Sequence, residues 1–366
     1  MANTYLYGLE HANHRFDGSD PKAFGKNIFT NAFPLALIVY MDDLGYGPMY
    51  IEAAADSSNR LHTTQSETPL HQLLNCNAHD VEWLFESSFD KYRHFSNGLP
   101  ARSDVVIRDI NSNRQLGALE IKLVTIPNSA TAHRAKDQQS CEIVVRPPSI
   151  EQLCFSIANT YGPKRRHELG DIISSHLSFP MDYEWKNETF MLKHLQCVIS
   201  AAEEIALKGI PSQAPFALTA IWRTKGQASI LDTECFDAFV WSDMAFVQLF
   251  IDAARRNDKP PISRPSRSLI WLIKALFDYS AQGIVTFEKT RSEITYGAQT
   301  DKAGSFSGES LSPFLQGNTF LHPRIPDVDY SKIVDPSGID LLKPERRLDG
   351  ALVSAKTLGS YISISQ

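Results

Sequence analysis

Apolar residues recur along this chain in blocks whose spacing switches between two and three to four residues, and the switches mark out its elements. Residues 33 to 54 read as an apolar strand, a turn at Gly45 and Gly47, and a second apolar segment, Met49 to Ala54; a polar stretch, Asp56 to Thr68, follows. From Asn77 to Phe95, Val81, Leu84, Phe85 and Phe89 fall at helical spacing behind Asn77 or Asp80 as caps, which predicts a helix. Gly98-Leu99-Pro100 ends it, because proline pushes the residue before it out of the helical region. Residues 104 to 110 are rich in β-branched side chains, Asn111-Ser112-Asn113 is turn chemistry, and Gln115 to Ile126 is again extended and apolar, so a β-hairpin is predicted.

Beyond Pro127 the pattern alternates. Helices are predicted at Ile150 to Tyr161, Tyr183 to Lys208, Asp243 to Asn257 and Ser268 to Gln282. A hairpin is predicted between Phe216–Arg223 and Ala228–Leu231 around Lys225-Gly226, and a short strand at Ile284 to Glu288; the final stretch is loop-rich. No internal repeat, heptad run or low-complexity tract interrupts the pattern.

Composition narrows the class. The 366 residues permit one large domain or two ordinary ones, and 43% hydrophobic with 21% charged content is that of a globular chain. The longest strongly apolar run, Phe33 to Met41, is far shorter than the roughly 20 residues a spanning helix needs. Met1 to Arg15 is polar and carries no secretory pattern, so the cytoplasm is the expected location. The five cysteines are scattered with no Cys-x-x-Cys pair, as expected of thiols in a reducing compartment. A net charge of −6 offers no global attraction for a polyanion, so nucleic-acid binding would rest on local basic patches.

The hairpin carries the candidate chemistry. Strand alternation points Glu120 and Lys122 to one face and Leu119, Ile121 and Leu123 to the other, one face being core and the other charged. A three-residue loop at Asn111 to Asn113 would pair Ile110 with Arg114 and set Asp104 opposite Glu120. Carboxylates so opposed lie about 5 Å apart at Cβ and repel unless a cation lies between them. Mg2+ accepts such hard oxygen ligands, here Asp104, Glu120 and the backbone carbonyl of Ile121, while keeping sites for water and phosphate. A metal in that position activates water and polarises a phosphodiester, with Lys122 orienting or deprotonating the water or stabilising charge as a cation. An Asp/Glu-x-Lys triplet also occurs at Asp20–Lys22 and Glu184–Lys186, so the triplet alone says little; only Glu120–Lys122 sits in an apolar strand behind another strand that opens on an aspartate. On spacing and context alone, nuclease chemistry and a solvated strand laced with charge pairs stand side by side.

Ser103-Asp104 followed by Leu119-Glu120-Ile121-Lys122 resembles the signature of the PD-(D/E)XK nuclease superfamily, with Ser103 where the name's proline would stand. Leu119–Leu123 running into Ile126-Pro127-Asn128, Ile150-Glu151-Gln152-Leu153, and Pro344-Glu345-Arg346-Arg347-Leu348-Asp349-Gly350 are similar to type II restriction endonucleases of the HindVP group. The resemblance implies an α/β (α+β) fold with a mixed central sheet flanked by helices, Mg2+ dependence, and cleavage of double-stranded DNA at a short palindromic target such as GRCGYC. It implies a single nuclease domain over 1–366, with a catalytic core at about 78–160 and recognition elements within 161–350. A homodimer matches a two-fold target, and a cognate DNA methyltransferase would be the functional partner. Two other readings are a non-catalytic DNA-binding protein on a degenerate nuclease fold and a structure-specific repair nuclease.

Glu82 and Glu86, four apart on the expected helix, offer a supporting metal ligand in Glu86, although a solvated helix face is the simpler explanation of them. Asp42-Asp43 is a runner-up. For DNA contacts, Lys164, Arg165 and Arg166 follow Gly162-Pro163 in an expected loop; Arg346-Arg347 come second, and Arg264 and Arg267 third. Such basic clusters are more often solvated surface. No Gly-x-Ser-x-Gly, P-loop or His-Glu-x-x-His is present, His11 and His14 are isolated, and the apolar neighbours of Cys154 favour a buried thiol over a nucleophile.

Overall fold

A computed structural model describes residues 49–66, 68, 72, 80–98, 100, 102–122, 142–178, 182–212, 215–220, 223–225, 228–230, 238–298 and 304–307. The expected strand at 33–41, Asp42-Asp43, His11 and His14, Cys76, Cys141 and Cys235, and Arg346-Arg347 lie outside them.

The strands are β1 (Met49–Ala55), β2 (Leu61–Ser66), β3 (Val81–Ser87), β4 (Ser103–Asp109), β5 (Gln115–Lys122), β6 (Glu142–Val145), β7 (Pro215–Ala220), β8 (Arg223–Lys225), β9 (Ala228–Ile230), β10 (Ala238–Ser242) and β11 (Gly304–Ser307). The helices are α1 (Pro147–His176), α2 (Asp182–Trp185), α3 (Glu188–Lys193), α4 (Leu195–Gly209), α5 (Asp243–Ala254), α6 (Arg264–Gln282) and α7 (Phe287–Glu293). Seven strands form one mixed sheet in the order β2-β1-β10-β7-β5-β4-β3. The β1/β10 and β5/β7 pairs are parallel and the others antiparallel. Two small antiparallel pairs, β6 with β11 and β8 with β9, stand apart from it.

One face of the sheet, through Ile51, Leu84, Val106 and Trp241, joins a core filled by α1, α4, α5 and α6. α5 is apolar nearly all round and buried from Met244 to Ile251, as a helix enclosed by others must be. Val105, Ile107, Leu119 and Val240 are fully buried too, outside that cluster. The expectation of one core face and one charged face on the hairpin is therefore corrected: β4 and β5 are interior strands, buried on both sides as such strands are.

Several expected elements change. The helix expected over Asn77 to Phe95 is β3 followed by a 3-10 turn at Asp90–Phe95. Short apolar runs fit either period, and here the aromatic residues of Val81–Ser87 and six paired positions along β4 favour the strand. The polar stretch after Asp56 contains β2, a Thr-rich edge strand whose outer side needs no apolar cover. The helix expected over Tyr183 to Lys208 is broken into α2, α3 and α4, because the Asn187 side chain caps α3 by accepting from the Phe190 amide (3.0 Å) and His194 leaves the helical region. β7 does not close a hairpin with Ala228–Leu231; it enters the main sheet, and β8 pairs with β9 instead. The strand expected at Ile284 reduces to a single bridge, Ser96 with Val285, before α7 starts.

Candidate active site

The β4–β5 pairing decides whether Asp104 and Glu120 meet. At the turn, the Asp109 amide donates to the Arg114 carbonyl (2.9 Å), while the Ile110 amide donates to Asp80 (2.8 Å) instead of pairing with Arg114. The loop is therefore four residues long, held by the Asp109 carboxylate accepting from the Ser112 amide (2.6 Å) and by Asn113 in the left-handed region at φ 54°. Those hydrogen bonds hold the Asp109 carboxyl below the usual range. An even loop alone would put Asp104 and Glu120 on opposite faces. A bulge restores the phase: Arg108 faces Gln115, Ile107 faces Gly117, and the register then runs through Val106–Ala118 and Val105–Leu119. Carried one residue beyond Val105–Leu119, this register sets Asp104 across from Glu120.

Both carboxylates are half-buried, and each is held by a neighbouring element. Asp104 Oδ2 accepts from the backbone amide of Ile121 (2.6 Å), which ties it to β5. Glu120 Oε1 accepts from the hydroxyl of Ser149 (3.3 Å), in the first turn of α1. That helix begins Pro147-Pro148, two residues without amide protons, so a side-chain hydroxyl meets the carboxylate there. The positive end of the helix dipole favours the two nearby carboxylates. One turn on, buried Gln152 accepts from the hydroxyl of Ser103 (3.4 Å), the residue before Asp104. Sequence reading passed over Ser149 and quoted Gln152 only within a family-like segment, with no role; the signal was a polar stripe, Ser149, Gln152 and Ser156, on an otherwise apolar helix.

Lys122 ends β5 in register with Thr219 of β7, and Ile121 pairs with Leu218. Glu86 is on a strand, not the expected helix: it lies in β3 between Phe85, opposite Val105, and Ser87, opposite Ser103, so its backbone occupies the row of Asp104. Glu82 is likewise in β3, opposite Arg108. Among the described residues no group of three or more His, Cys, Asp or Glu gathers as a metal cluster. Two carboxylates on adjacent strands still suit Mg2+, which binds through one or two carboxylates and keeps the rest of its octahedron for water and phosphate.

The basic residues lie elsewhere. Lys164, Arg165 and Arg166 are not in a loop but in α1, just past a kink at Gly162 (φ 69°), with Pro163 opening the second half. At 1.5 Å per residue they stand roughly 20 Å or more from the first turn. Arg165 makes a two-pronged pair with Glu168 (2.8 and 2.7 Å) and stacks over Tyr161, while Arg166 packs against Gly283 at the end of α6. Arg264 and Arg267 open α6; Arg267 stacks on Trp271. Cys154 is fully buried, and burial pushes its thiol well above its ordinary range, which suits a core residue and not a nucleophile. Beside Gln152, burial and the charge of Glu288 push the Glu151 carboxyl up to about 7, with Arg291 opposing.

The HindVP restriction endonuclease family model matches residues 24–358. The chain belongs to this family. It is 32% identical over 355 residues, 96% of each chain, to the type II restriction enzyme HgiDI of Herpetosiphon aurantiacus. It is 26% identical over 358 residues, 97% of this chain and 94% of the relative, to the probable type II restriction enzyme HindVP of Haemophilus influenzae. No solved structure matches. The HindVP family match runs through β4, β5 and α1, so the paired carboxylates and the helix that holds them lie inside it.

Proposed function

We propose that this HindVP-family restriction endonuclease cuts both strands of double-stranded DNA at a short palindromic site, with Asp104, Glu120 and Lys122 as its catalytic residues. The observation that carries the reading is the register that sets Asp104 across from Glu120 at the start of α1. Asp104, Glu120 and the Ile121 carbonyl would hold Mg2+, with Glu86 in support from the adjoining row. When bound there, the metal supplies charge neutralisation at the phosphate and acidifies water. Asp104 and Glu120 would hold negative charge near the N-terminal end of α1, and Lys122 would orient or deprotonate the attacking water or stabilise the developing charge as a cation.

The mixed sheet with helices on one face supports a restriction-endonuclease-like fold in a single nuclease domain. A core at about 78–160 contains the catalytic strands and the start of α1, and recognition elements fall within 161–350. Lys164, Arg165, Arg166, Arg346 and Arg347 are the proposed phosphate contacts. Two copies of the chain would match a two-fold site such as GRCGYC, with a cognate methyltransferase protecting host DNA in the same cytoplasm. No helix among the described residues is long and apolar enough to cross a membrane.

Incubation with plasmid and phage DNA and Mg2+ tests the reading. Discrete, reproducible fragments are expected. Salt-sensitive binding without cleavage under any divalent ion, or cleavage confined to branched or damaged DNA, would overturn it.

A further inference from the structure

A nuclease that relies on two carboxylates from separate strands must fix both before metal and DNA arrive. The β4–β5 pair itself holds Asp104, through the Ile121 amide, but the Glu120 side chain takes a hydrogen bond from outside the sheet. In this chain one helix reaches Glu120 and Ser103, the residue before Asp104. Ser149, Gln152 and Ser156 stand at positions i, i+3 and i+7 of α1, hence on one face, and all three are buried. Ser149 donates to Glu120, Gln152 accepts from Ser103 beside Asp104, and Ser156 donates to Asp243 at the head of α5. A polar side chain is costly in a packed helix unless its hydrogen bonds are made, and here each is directed at the rim of the catalytic strands or at the element that anchors the helix.

We propose that Ser149 and Gln152 are positioning residues for metal binding: Ser149 fixes the Glu120 carboxylate, Gln152 fixes the strand end that carries Asp104, and the Ser156–Asp243 contact fixes the height of α1 against both. This rests on the reading of Asp104 and Glu120 as metal ligands. Partners of ligating carboxylates set the ligand's direction, and their loss typically weakens metal affinity by about 10- to 100-fold. At the head of α1, Pro147 and Pro148 have no amide protons and the amides of Ser149 and Ile150 donate to the Arg146 carbonyl, while the Ser149 hydroxyl donates to Glu120.

The test compares Ser149→Ala, Ser149→Thr, Gln152→Met and Glu120→Ala in the full chain. Bound Mn2+ is counted by electron paramagnetic resonance, half-saturating Mg2+ is measured for plasmid cleavage, and DNA affinity is measured in EDTA. Ser149→Ala is expected to weaken Mn2+ binding and raise half-saturating Mg2+ by about tenfold, with DNA affinity in EDTA unchanged. Ser149→Thr, which keeps the hydroxyl, restores most of the loss, and Gln152→Met shifts both metal readouts in the same direction. Wild-type metal readouts in Ser149→Ala and Gln152→Met, beside their loss in Glu120→Ala, overturn the positioning role and leave the site reading intact. A fall in cleavage with unchanged metal dependence marks a merely structural role and also overturns it. Retention of Mn2+ binding and cleavage by Glu120→Ala overturns the site reading itself.

Discussion

The backbone amide of Ile121 donates to Asp104 across the β4–β5 pair at 2.6 Å, so the residue between Glu120 and Lys122 holds the third member of the proposed site. The contact is made by the main chain of β5 and does not depend on the Ile121 side chain. Asp104→Asn keeps an acceptor for that amide and removes the charge. It is expected to melt within about 1 kcal/mol of wild type while Mg2+-dependent cleavage falls to background, measured by thermal denaturation and plasmid cleavage in parallel.

Lys274, buried in α6, bonds Asp278 (2.6 Å) and Asp182 (3.0 Å). Burial works against its charge, but the hydrogen bonds to Asp278 and Asp182 outweigh that and leave the ammonium raised. Lys274→Ala strands the half-buried Asp278 and is expected to cost about 3 kcal/mol in urea denaturation. Lys274→Met with Asp278→Leu should recover most of it, since an apolar pair replaces a desolvated ionic one.

Asp243 is fully buried; burial pushes its carboxyl up from 3.8 to about 7, against hydrogen bonds from Ser156 and its own amide. Its Oδ1 meets no donor among the described residues. A carboxyl raised on folding favours the protonated native state, so its contribution is full below about pH 4 and is lost as pH rises to about 7. Asp243→Asn should flatten the fall in stability across that window, by an amount on the order of a few kcal/mol. Melting temperatures from pH 4 to 8 check this; an unchanged profile would contradict it.

Lys164 is exposed on the second half of α1, and among the described residues it has no ion pair like that of Arg165 with Glu168. As a phosphate contact, its replacement by alanine should lower the slope of log affinity against log salt by about one. Arg165→Ala should lower it less, because its guanidinium is already engaged. Filter binding from 50 to 200 mM salt distinguishes the two.

The two strands that carry the candidate site were legible because their determinants are local. The β-branched run at 104–110 and the apolar run after Gln115 specify two strands, and alternation then fixes which residues share a face. The register was reached by a different route from the one expected. The expected odd loop is an even one, and the Leu116 bulge supplies the missing residue. The Ile110 amide bonds Asp80, just ahead of β3, instead of closing the hairpin, and a contact from outside the hairpin leaves little mark in its own sequence. Tertiary pairing also decided β3, whose Val81, Leu84 and Phe85 fit a helix equally well. The roles of Ser149 and Gln152 were hidden because a polar residue on a helix reads as surface until the partner it meets is known.

The most direct measurement is cleavage of a plasmid bearing discrete cut sites by the wild-type chain and by Asp104→Ala, Glu120→Ala and Lys122→Ala, with DNA affinity measured beside it. The expected result is discrete Mg2+-dependent fragments from the wild type and none from the three variants, which stay folded and bind DNA. Full cleavage by any two of the variants would contradict the central claim.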